Sequence, residues 1–404
     1  KLTYTMPKIT LKHPGKVATI MISGSLWKQG QMAMPIVSML RQTSNLIRMC
    51  NRDYKPQGIL AHSGCLAQLL SADILDIPTS VLYFAPGFLP CREMPFVFDN
   101  ALKQKHIDNV WRTDNVLVSK NVQSGLRYHE KLAHLIPWTF DNSKEYLGHL
   151  SKIQHLYTFE PPLVPKMTYA DVLPPLTIKS VGLMKPNLPT TRFDKALGTW
   201  MYKCRRRGGR VVFVSFGSYL HNLAVHYATD DGPSALVIFL TALHDYVDSH
   251  NAHILLHDDK KTIPHETVQH IRTKMPRVRL HSSFVAYPTL IPKCAMVCFT
   301  GSVCLQNICW KRKTPMLYMP VIPEQYLWAK LYQKHTGVPF IDYLSDDQSA
   351  VSVAVKRAFA WAKTKGAKTL FERVHQTIPR DAGYEVMRCV EEWGVQQRNE
   401  SSSL

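Results

Sequence analysis

The sequence predicts an α/β protein of two domains, each with a parallel sheet covered by helices. Two stretches carry this prediction, because in each an apolar strand ends in a tight turn before a helix: RVVFVSFGS at 210–218 and AMVCFTGS at 295–302. This order is typical of nucleotide-binding α/β units, which bind ligands at the carboxyl ends of their strands. A chain of 404 residues, 45% hydrophobic and 20% charged, has the size and composition of about two globular domains.

Strands and helices alternate through the second half of the chain. Apolar runs predict the buried strands, and longer stretches between them predict helices. The predicted strands are 210–214, 253–256, 278–280, 295–299 and 316–319, and the helices are 233–247, 263–274 and 303–312. A β-α-β-α order implies a parallel sheet with helices on both faces.

The first half begins with a basic, irregular arm at 1–16. The run 17–22 predicts a buried strand, and a helix is expected from Pro35, because proline favours the first helical turn. Residues 58–87 predict a helix–strand unit, and further strand-like pieces lie near 115–118 and 154–159.

Residues 284–330 resemble the donor-binding motif of UDP-glycosyltransferases with the two-domain GT-B fold, closest to the sterol-glucosyltransferase-like branch. LIPKCA at 290–295 fits that motif, and its spacing to later positions is kept. Those positions are Thr300, Pro315, Pro320, Glu324, Gln325 and Trp328. The resemblance implies two Rossmann-like domains whose parallel sheets face across a cleft, with a C-terminal helix crossing back to the first domain.

The same resemblance sets the expected domain bounds. It implies an N-terminal, acceptor-type domain at 17–182, a linker at 183–209 and a donor-type domain at 210–375, followed by a crossover helix and polar tail at 376–404. It also implies a strand near 178–182 and helices at 326–334, 347–363 and 384–393, with a proline-bounded loop carrying Glu324 and Gln325.

The family's catalytic base position holds no base. Counting from the preceding glycine or from the following proline places Gln31 or Met32 there. Neither an amide nor a thioether can take a proton from a hydroxyl near neutral pH. A substitute base would be His62, for which a turn or helix-cap role is the alternative, or the His257–Asp258 pair, which lies in the wrong domain.

The donor-binding positions are partly kept. If binding is retained, the resemblance implies these contacts: Ser215, Gly217, Ser218, Phe284, Thr300, Gly301, Ser302, Glu324 and Gln325. Phe284 would stack on uracil, although a core role is the alternative. The phosphate loop has lost its histidine to Thr300 and keeps one glycine of three, and a ribose-binding glutamate is replaced by Ile308. Bulky side chains hinder the approach of backbone to phosphate.

The net charge of +19 indicates an acidic partner, with RNA or a ribonucleoprotein favoured. The densest cluster comprises Lys203, Arg205, Arg206, Arg207 and Arg210. It predicts either a solvated interdomain loop or contacts with a nucleic-acid backbone, which would make binding salt-sensitive.

The nine cysteines show no metal-site spacing, so a metal site is not expected and buried thiols in a reducing compartment are. No apolar run is long enough to span a membrane. Residue 1 is lysine, and a removed secretory or mitochondrial leader would fit; the mitochondrial matrix is favoured over the cytoplasm.

Together these features favour a degenerate, non-catalytic glycosyltransferase-like protein that serves as a structural or assembly subunit of a larger complex, RNA-containing and organellar. It would need no cofactor. The alternative is an active hexosyltransferase that uses a UDP-sugar donor and a lipid or small-molecule acceptor. A third reading is a sensor that binds a UDP-sugar without transferring it.

Overall fold

The fold is described by a computed structural model, which covers much of the first domain's sheet and most of the second domain. The described residues are 58–62, 77–84, 89, 143–159, 176–184, 194–225, 232–321, 323–342, 348–377 and 382–402. The predicted arm at 1–16, the strands at 17–22 and 115–118, and the base positions Gln31 and Met32 lie outside them.

The first sheet has four described strands, all parallel, in the order β1-β2-β3-β4. These are β1 (Ile59–His62), β2 (Thr79–Tyr83), β3 (Gln154–Tyr157), which follows helix α1 (Ser143–Ser151), and β4 (Thr177–Ser180). The predicted helix–strand unit is wrong at its start, because residues 59–62 pair with 79–82 as a strand. Their apolar run is short and bounded by Gly58, which favours a strand over a helix.

The second sheet has five described strands, all parallel, in the order β7-β6-β5-β8-β9. They are β5 (Arg210–Ser215), β6 (Ala252–His257), β7 (Val278–His281), β8 (Met296–Phe299) and β9 (Met316–Tyr318). The strand order reverses at β5, which pairs with β6 on one side and with β8 on the other. In open parallel sheets such a reversal opens a crevice at the carboxyl ends of the two strands.

Helices cover both faces of this sheet. The described helices after β4 are α2 (Lys195–Arg206), α3 (Leu220–Val225), α4 (Ala235–Ser249), α5 (His265–Lys274), α6 (Tyr287–Leu290), α7 (Val303–Arg312), α8 (Pro323–Thr336), α9 (Gln348–Ala362), α10 (Lys365–Thr377) and α11 (Ala382–Ser402). Val211 and Phe213 of β5 face one core, and Val212 and Val214 face the other, as the two-residue period of a strand requires. In the described part of the chain, no helix is long and apolar enough to cross a membrane.

Several helices differ from the predictions. Helix α8 begins at Pro323, three residues before the predicted start, because proline fits the first helical position. Glu324 and Gln325 therefore lie in its first turn and not in a loop. Helices α2 and α10 were not predicted, and α2 lies inside the expected linker at 183–209, so the domain bounds stay predictions.

The C-terminal helix returns to the first sheet, as predicted. Val386 and Cys389 of α11 pack in one buried cluster with Leu82 and Leu156 of that sheet. An ion pair of 3.1 Å joins Lys179 Nζ to Glu392 Oε2, but both side chains are substantially exposed. Exposed pairs add little to stability because water screens them, so apolar burial accounts for most of this attachment.

Candidate functional site

The nucleotide-type crevice lies where β5 and β8 end. Ser215 and Phe299 are partners at the last paired position of the two strands. The turn at 216–218 and the loop at 300–302 therefore leave the sheet side by side, and α7 begins directly after that loop. The fold thus brings most of the predicted donor-binding residues to one edge of the sheet, at its strand-order reversal.

Four predicted donor-binding residues are exposed at this edge. Phe284 follows β7 and is 66% exposed, so the core alternative for this ring is wrong. Ser218 and Ser302 are also exposed, and Ser302 caps α7 without a side-chain hydrogen bond. Gly217 has a φ of 53°, and a Cβ there would meet open space. A flat aromatic face and hydroxyl donors are groups that a nucleotide site uses.

Other predicted donor-binding residues are buried or already hydrogen-bonded to other groups of the protein. Ser215 is buried and hydrogen-bonded to the Tyr287 hydroxyl. Thr300, at the position of the family's phosphate-contacting histidine, is 3% exposed. Gln325 is 6% exposed, and its Oε1 accepts a hydrogen bond of 2.9 Å from the backbone N–H of Val321. These groups hold the loops around the crevice.

Gly301 has a structural reason to be glycine. Its φ is 112°, which side chains other than glycine adopt only under strain, and a Cβ there would lie 3.2 Å from Cβ of Gln325. The surviving glycine of the phosphate loop is therefore required by backbone conformation and by packing, with or without a ligand. Ile308, at the expected ribose-binding position, is buried in the core.

The His257–Asp258 pair is not arranged for acid–base work. Asp258 accepts hydrogen bonds from the N–H groups of Thr262 and Ile263, so it fixes the turn after β6. His257 Nε2 lies 3.1 Å from the carbonyl oxygen of Ser283 and donates to it. His62 is the last residue of β1, so both the turn and the helix-cap interpretations were wrong.

The basic cluster spans the end of a helix, a short turn and the start of a strand. Lys203, Arg205 and Arg206 form the last turn of α2, where positive charge complements the helix dipole, and Arg210 opens β5. All five cations of the cluster, Arg207 included, are exposed. Because β5 starts here, the cluster lies at the amino edge of the sheet, opposite the crevice.

The cysteines behave as buried apolar groups. Burial raises the pKa of the Cys294 thiol to about 12, and it also raises the pKa values of Cys298 and Cys309. A thiol that stays protonated is a poor nucleophile and a poor metal ligand. No group of three or more metal-ligating side chains occurs among the residues that the structure describes.

Solved structures of similar fold are glycosyltransferases. Spinosyn rhamnosyltransferase SpnG is 15% identical over 91% of this chain and 81% of its own, with a TM-score of 0.55. The glycotransferase of kitacinnamycin is 14% identical over 87% and 79%, with a TM-score of 0.54. VinC, in complex with dTDP, is 16% identical over 88% and 75%, with a TM-score of 0.53. The chain has the GT-B fold. No family model and no curated protein sequence matches it.

The predicted resemblance to GT-B glycosyltransferases is therefore confirmed at the level of fold, including the crossover helix. What the sequence-based prediction missed is α2. Its signals were present: Asp194 precedes the helix as an N-cap and accepts from the N–H of Leu197 at 2.7 Å. Leu197, Met201 and Cys204 then recur at helical spacing and are buried.

Proposed function

We propose that the chain is a non-catalytic GT-B protein that serves as a structural or assembly subunit of a larger, RNA-containing complex. The observation that supports this proposal is that residues of the crevice already contact other groups of the protein. Ser215, Gly301 and Gln325 are engaged with neighbouring protein groups, while the net charge is +19. A group already bonded within the protein must give up that bond before it can bind a sugar-diphosphate, which weakens the ligand's net gain.

The absence of a base at the family position adds to this argument. Gln31 and Met32 supply no proton acceptor, and loss of a general base alone typically slows a reaction by about 10²–10⁴-fold. Of the two histidine candidates, His257 is bonded to a backbone carbonyl in the donor-type domain, and His62 ends a strand of the first sheet. A protein selected for turnover would need such a group beside the acceptor hydroxyl.

Calorimetric titration and a turnover assay test the proposal on the same preparation. Because two of the similar structures contain thymidine diphosphate, the nucleotides are UDP, UDP-glucose and dTDP. We expect no sugar transfer and no donor hydrolysis, with nucleotide binding weak or undetectable at millimolar concentration. Steady release of UDP that is lost on changing Glu324 and Gln325 to alanine would overturn it.

A second candidate function is an active hexosyltransferase with a lipid or small-molecule acceptor. Phe284 favours it, because an aromatic ring that is 66% exposed at the uracil-stacking position is available to stack on a base. The Phe284→Ala variant tests it. Under this alternative, the change would weaken UDP binding and turnover together, whereas under the main proposal neither quantity changes.

The partner and compartment follow from the same proposal. A basic assembly subunit is expected to purify with RNA or ribonucleoprotein from its native source, and the mitochondrial matrix is the compartment that we propose. Fractionation of cells with and without ribonuclease treatment tests both points. Recovery of the protein outside mitochondria would count against the proposed compartment. Elution of the protein at the same position with and without ribonuclease would count against the RNA partner.

A further inference from the structure

Helix α2 presents an outward stripe that the fold leaves uncovered. Its inward side packs on the sheet through Leu197, Met201 and Cys204. The opposite side follows the helical spacing of four, three and four residues and consists of Lys195, Thr199, Tyr202 and Arg206. Tyr202 is 61% exposed, and the Arg206 guanidinium carbon lies 5.8 Å from the centroid of its ring.

A groove of about 460 Å³ runs between this helix and the edge strand β7. It is lined by Lys195, Ala196, Thr199, Trp200, Lys203 and Arg279. Three of these side chains are cationic, one is aromatic and none is acidic. Pockets of about 300–1,000 Å³ hold small ligands, so the groove has room for one nucleotide of a chain.

The cations around the groove are not neutralised. Among the described residues, no carboxylate lies within ion-pair distance of Lys203, Arg205 or Arg279, whereas Arg277 is paired with Asp248 at 2.9 Å. The Arg279 guanidinium carbon is 5.3 Å from the centroid of the Trp200 ring, and its buried Nε has no hydrogen-bond partner. A guanidinium with spare donors is suited to a phosphate oxygen.

The turn after α2 holds the remaining arginines in place. The N–H of Gly209 donates to the carbonyl of Cys204 at 2.9 Å, and Asn251 Nδ2 donates to the carbonyl of Arg207 at the same distance. A Cβ at Gly209 would lie 2.9 Å from that Cys204 oxygen, so only glycine fits. Because the backbone is already fixed, binding a ligand here costs little ordering of the chain.

We propose that this groove and stripe bind single-stranded RNA, an inference that rests on the proposed function. Lys195, Lys203 and Arg279 contact phosphates in the groove, and Tyr202 stacks on an unpaired base one turn away. Single strands are bound by a cationic track with aromatic platforms, whereas the bases of a duplex are stacked inside and cannot reach a tyrosine ring. An acidic peptide would satisfy the cations but would leave this ring unused.

The test is a fluorescence-anisotropy titration of the full chain with a labelled single-stranded RNA of mixed sequence, repeated over a salt series. Replacing Lys195, Lys203 and Arg279 together with glutamine removes the three cations that line the groove. We expect the slope of log affinity against log salt to fall by about 2, since each phosphate contact on a single strand contributes about 0.7. The matched control replaces Lys363, Lys365 and Lys368, which are exposed on and beside α10, and leaves the slope unchanged.

Stacking is tested separately with Tyr202→Ser. We expect RNA affinity to fall roughly five-fold or more, because stacking of a base on an aromatic ring contributes that much. The control Tyr384→Ser removes another exposed tyrosine, 66% exposed on α11, and does not change the affinity. Unlabelled single strand displaces the probe at lower concentration than duplex RNA of equal length.

Three results overturn the inference. They are equal losses in the groove variant and its lysine control, an unchanged affinity in Tyr202→Ser, and stronger competition by phosphatidylserine vesicles or by polyglutamate than by single-stranded RNA. The outcome is separable from that of the proposed function. RNA binding that fails in a preparation without UDP-sugar turnover refutes only this inference, and turnover in a preparation that binds RNA as described refutes only the non-catalytic assignment.

Discussion

The two edges of the second sheet contrast in how far their side chains are already bonded. At the carboxyl edge, Ser215 is hydrogen-bonded to Tyr287, and Gln325 holds the backbone of Val321. At the amino edge, Arg205 and its neighbours point into solvent without ion-pair partners among the described residues. The carboxyl edge has the geometry of a ligand site, but few of its polar groups are available to a ligand. The amino edge has available cations on a backbone that hydrogen bonds hold in place.

This contrast teaches that kept motif positions have two different physical origins. Gly301 and Trp328 match the glycosyltransferase pattern, yet backbone conformation and burial alone require them. The arginines of the cluster satisfy no internal requirement of that kind, since the helix dipole gains only about 0.3–1 kcal/mol from each charge. Substitutions at the carboxyl edge should therefore change stability, whereas those at the amino edge should change binding.

The largest expected effect comes from Trp328 in α8. This side chain is fully buried, and its ring lies 5.6 Å from Phe159, which follows β3 of the first sheet, and 5.3 Å from Tyr332. We expect Trp328→Ala to lower the free energy of unfolding by about 3–5 kcal/mol, because it removes a large buried ring and leaves a cavity. Denaturant titration at constant m-value measures it.

Trp328→Phe is the matched control. The indole Nε1 is buried without a hydrogen-bond partner, so phenylalanine removes an unsatisfied donor while keeping an aromatic ring. Its cost should be clearly smaller than that of alanine. Equal losses in the two variants would mean that the ring contacts do not stabilise this region, and the packing explanation for Trp328 would fail.

The next largest loss of stability is expected at Gly301, and a smaller one at Gly217, the other glycine of the crevice. Gly301→Ala forces a Cβ into a strained φ of 112° and to within 3.2 Å of Gln325, so we expect a loss of about 1–3 kcal/mol in unfolding free energy. Gly217→Ala meets open space and bears only the cost of a left-handed φ of 53°, about 1 kcal/mol. Thermal and denaturant unfolding of both variants check the order. Equal costs would remove the packing term assigned to Gly301.

A comparable or smaller loss is expected for Gln325→Ala. The substitution leaves the N–H of Val321 without its acceptor, and an unmet buried donor costs about 1–3 kcal/mol. Gln333→Ala, at an exposed position of the same helix, controls for helix propensity and should be neutral. If Gln325→Ala proved equally neutral but abolished UDP-glucose binding, the carboxyl edge would be a working donor site and the contrast between the edges would not hold.

Most of the second domain's architecture could be predicted from the sequence, because its strands are short apolar runs bounded by turn residues. Helix α7 begins and ends at the predicted residues, since Ser302 supplies a cap position and Lys313 ends it in a left-handed conformation. Helix α2 was missed because the resemblance assigned residues 183–209 to a linker, although Asp194 and the buried positions after it follow a helical pattern.

The position of the candidate site could be predicted from the sequence, but the exposure and hydrogen bonding of its side chains could not. The order of strands placed Gly217 and Thr300 at one edge, which depends only on topology. Whether Phe284 is exposed and whether Gln325 is free depend on side-chain packing from distant segments, which the local pattern does not encode. The groove beside α2 is likewise formed by residues far apart in sequence, Lys195 and Arg279, so no sequence motif predicts it.

The smallest expected effect is a pH dependence at the amino edge. Partial burial lowers the pKa of His253 below its ordinary value of 6.5, and the nearby positive charges of Arg277 and Arg207 lower it further. The folded protein therefore holds this ring neutral, while the unfolded chain takes up a proton as the pH falls below 6.5. Stability from this group is fully present above that pH and is lost below it, down to the lowered folded-state pKa.

His253→Gln should remove part of this acid sensitivity, because glutamine does not titrate. Unfolding free energies measured above and below pH 6.5 should thus differ less in the variant than in the parent, while His270→Gln, on the exposed side of α5, should follow the parent. At the carboxyl edge, burial also lowers the pKa of His281, but Asp194 at 3.4 Å partly offsets it. Identical pH profiles for His253→Gln and the parent would show that the pKa of His253 is not lowered in the folded protein, and the pH dependence assigned to the amino edge would have to be abandoned.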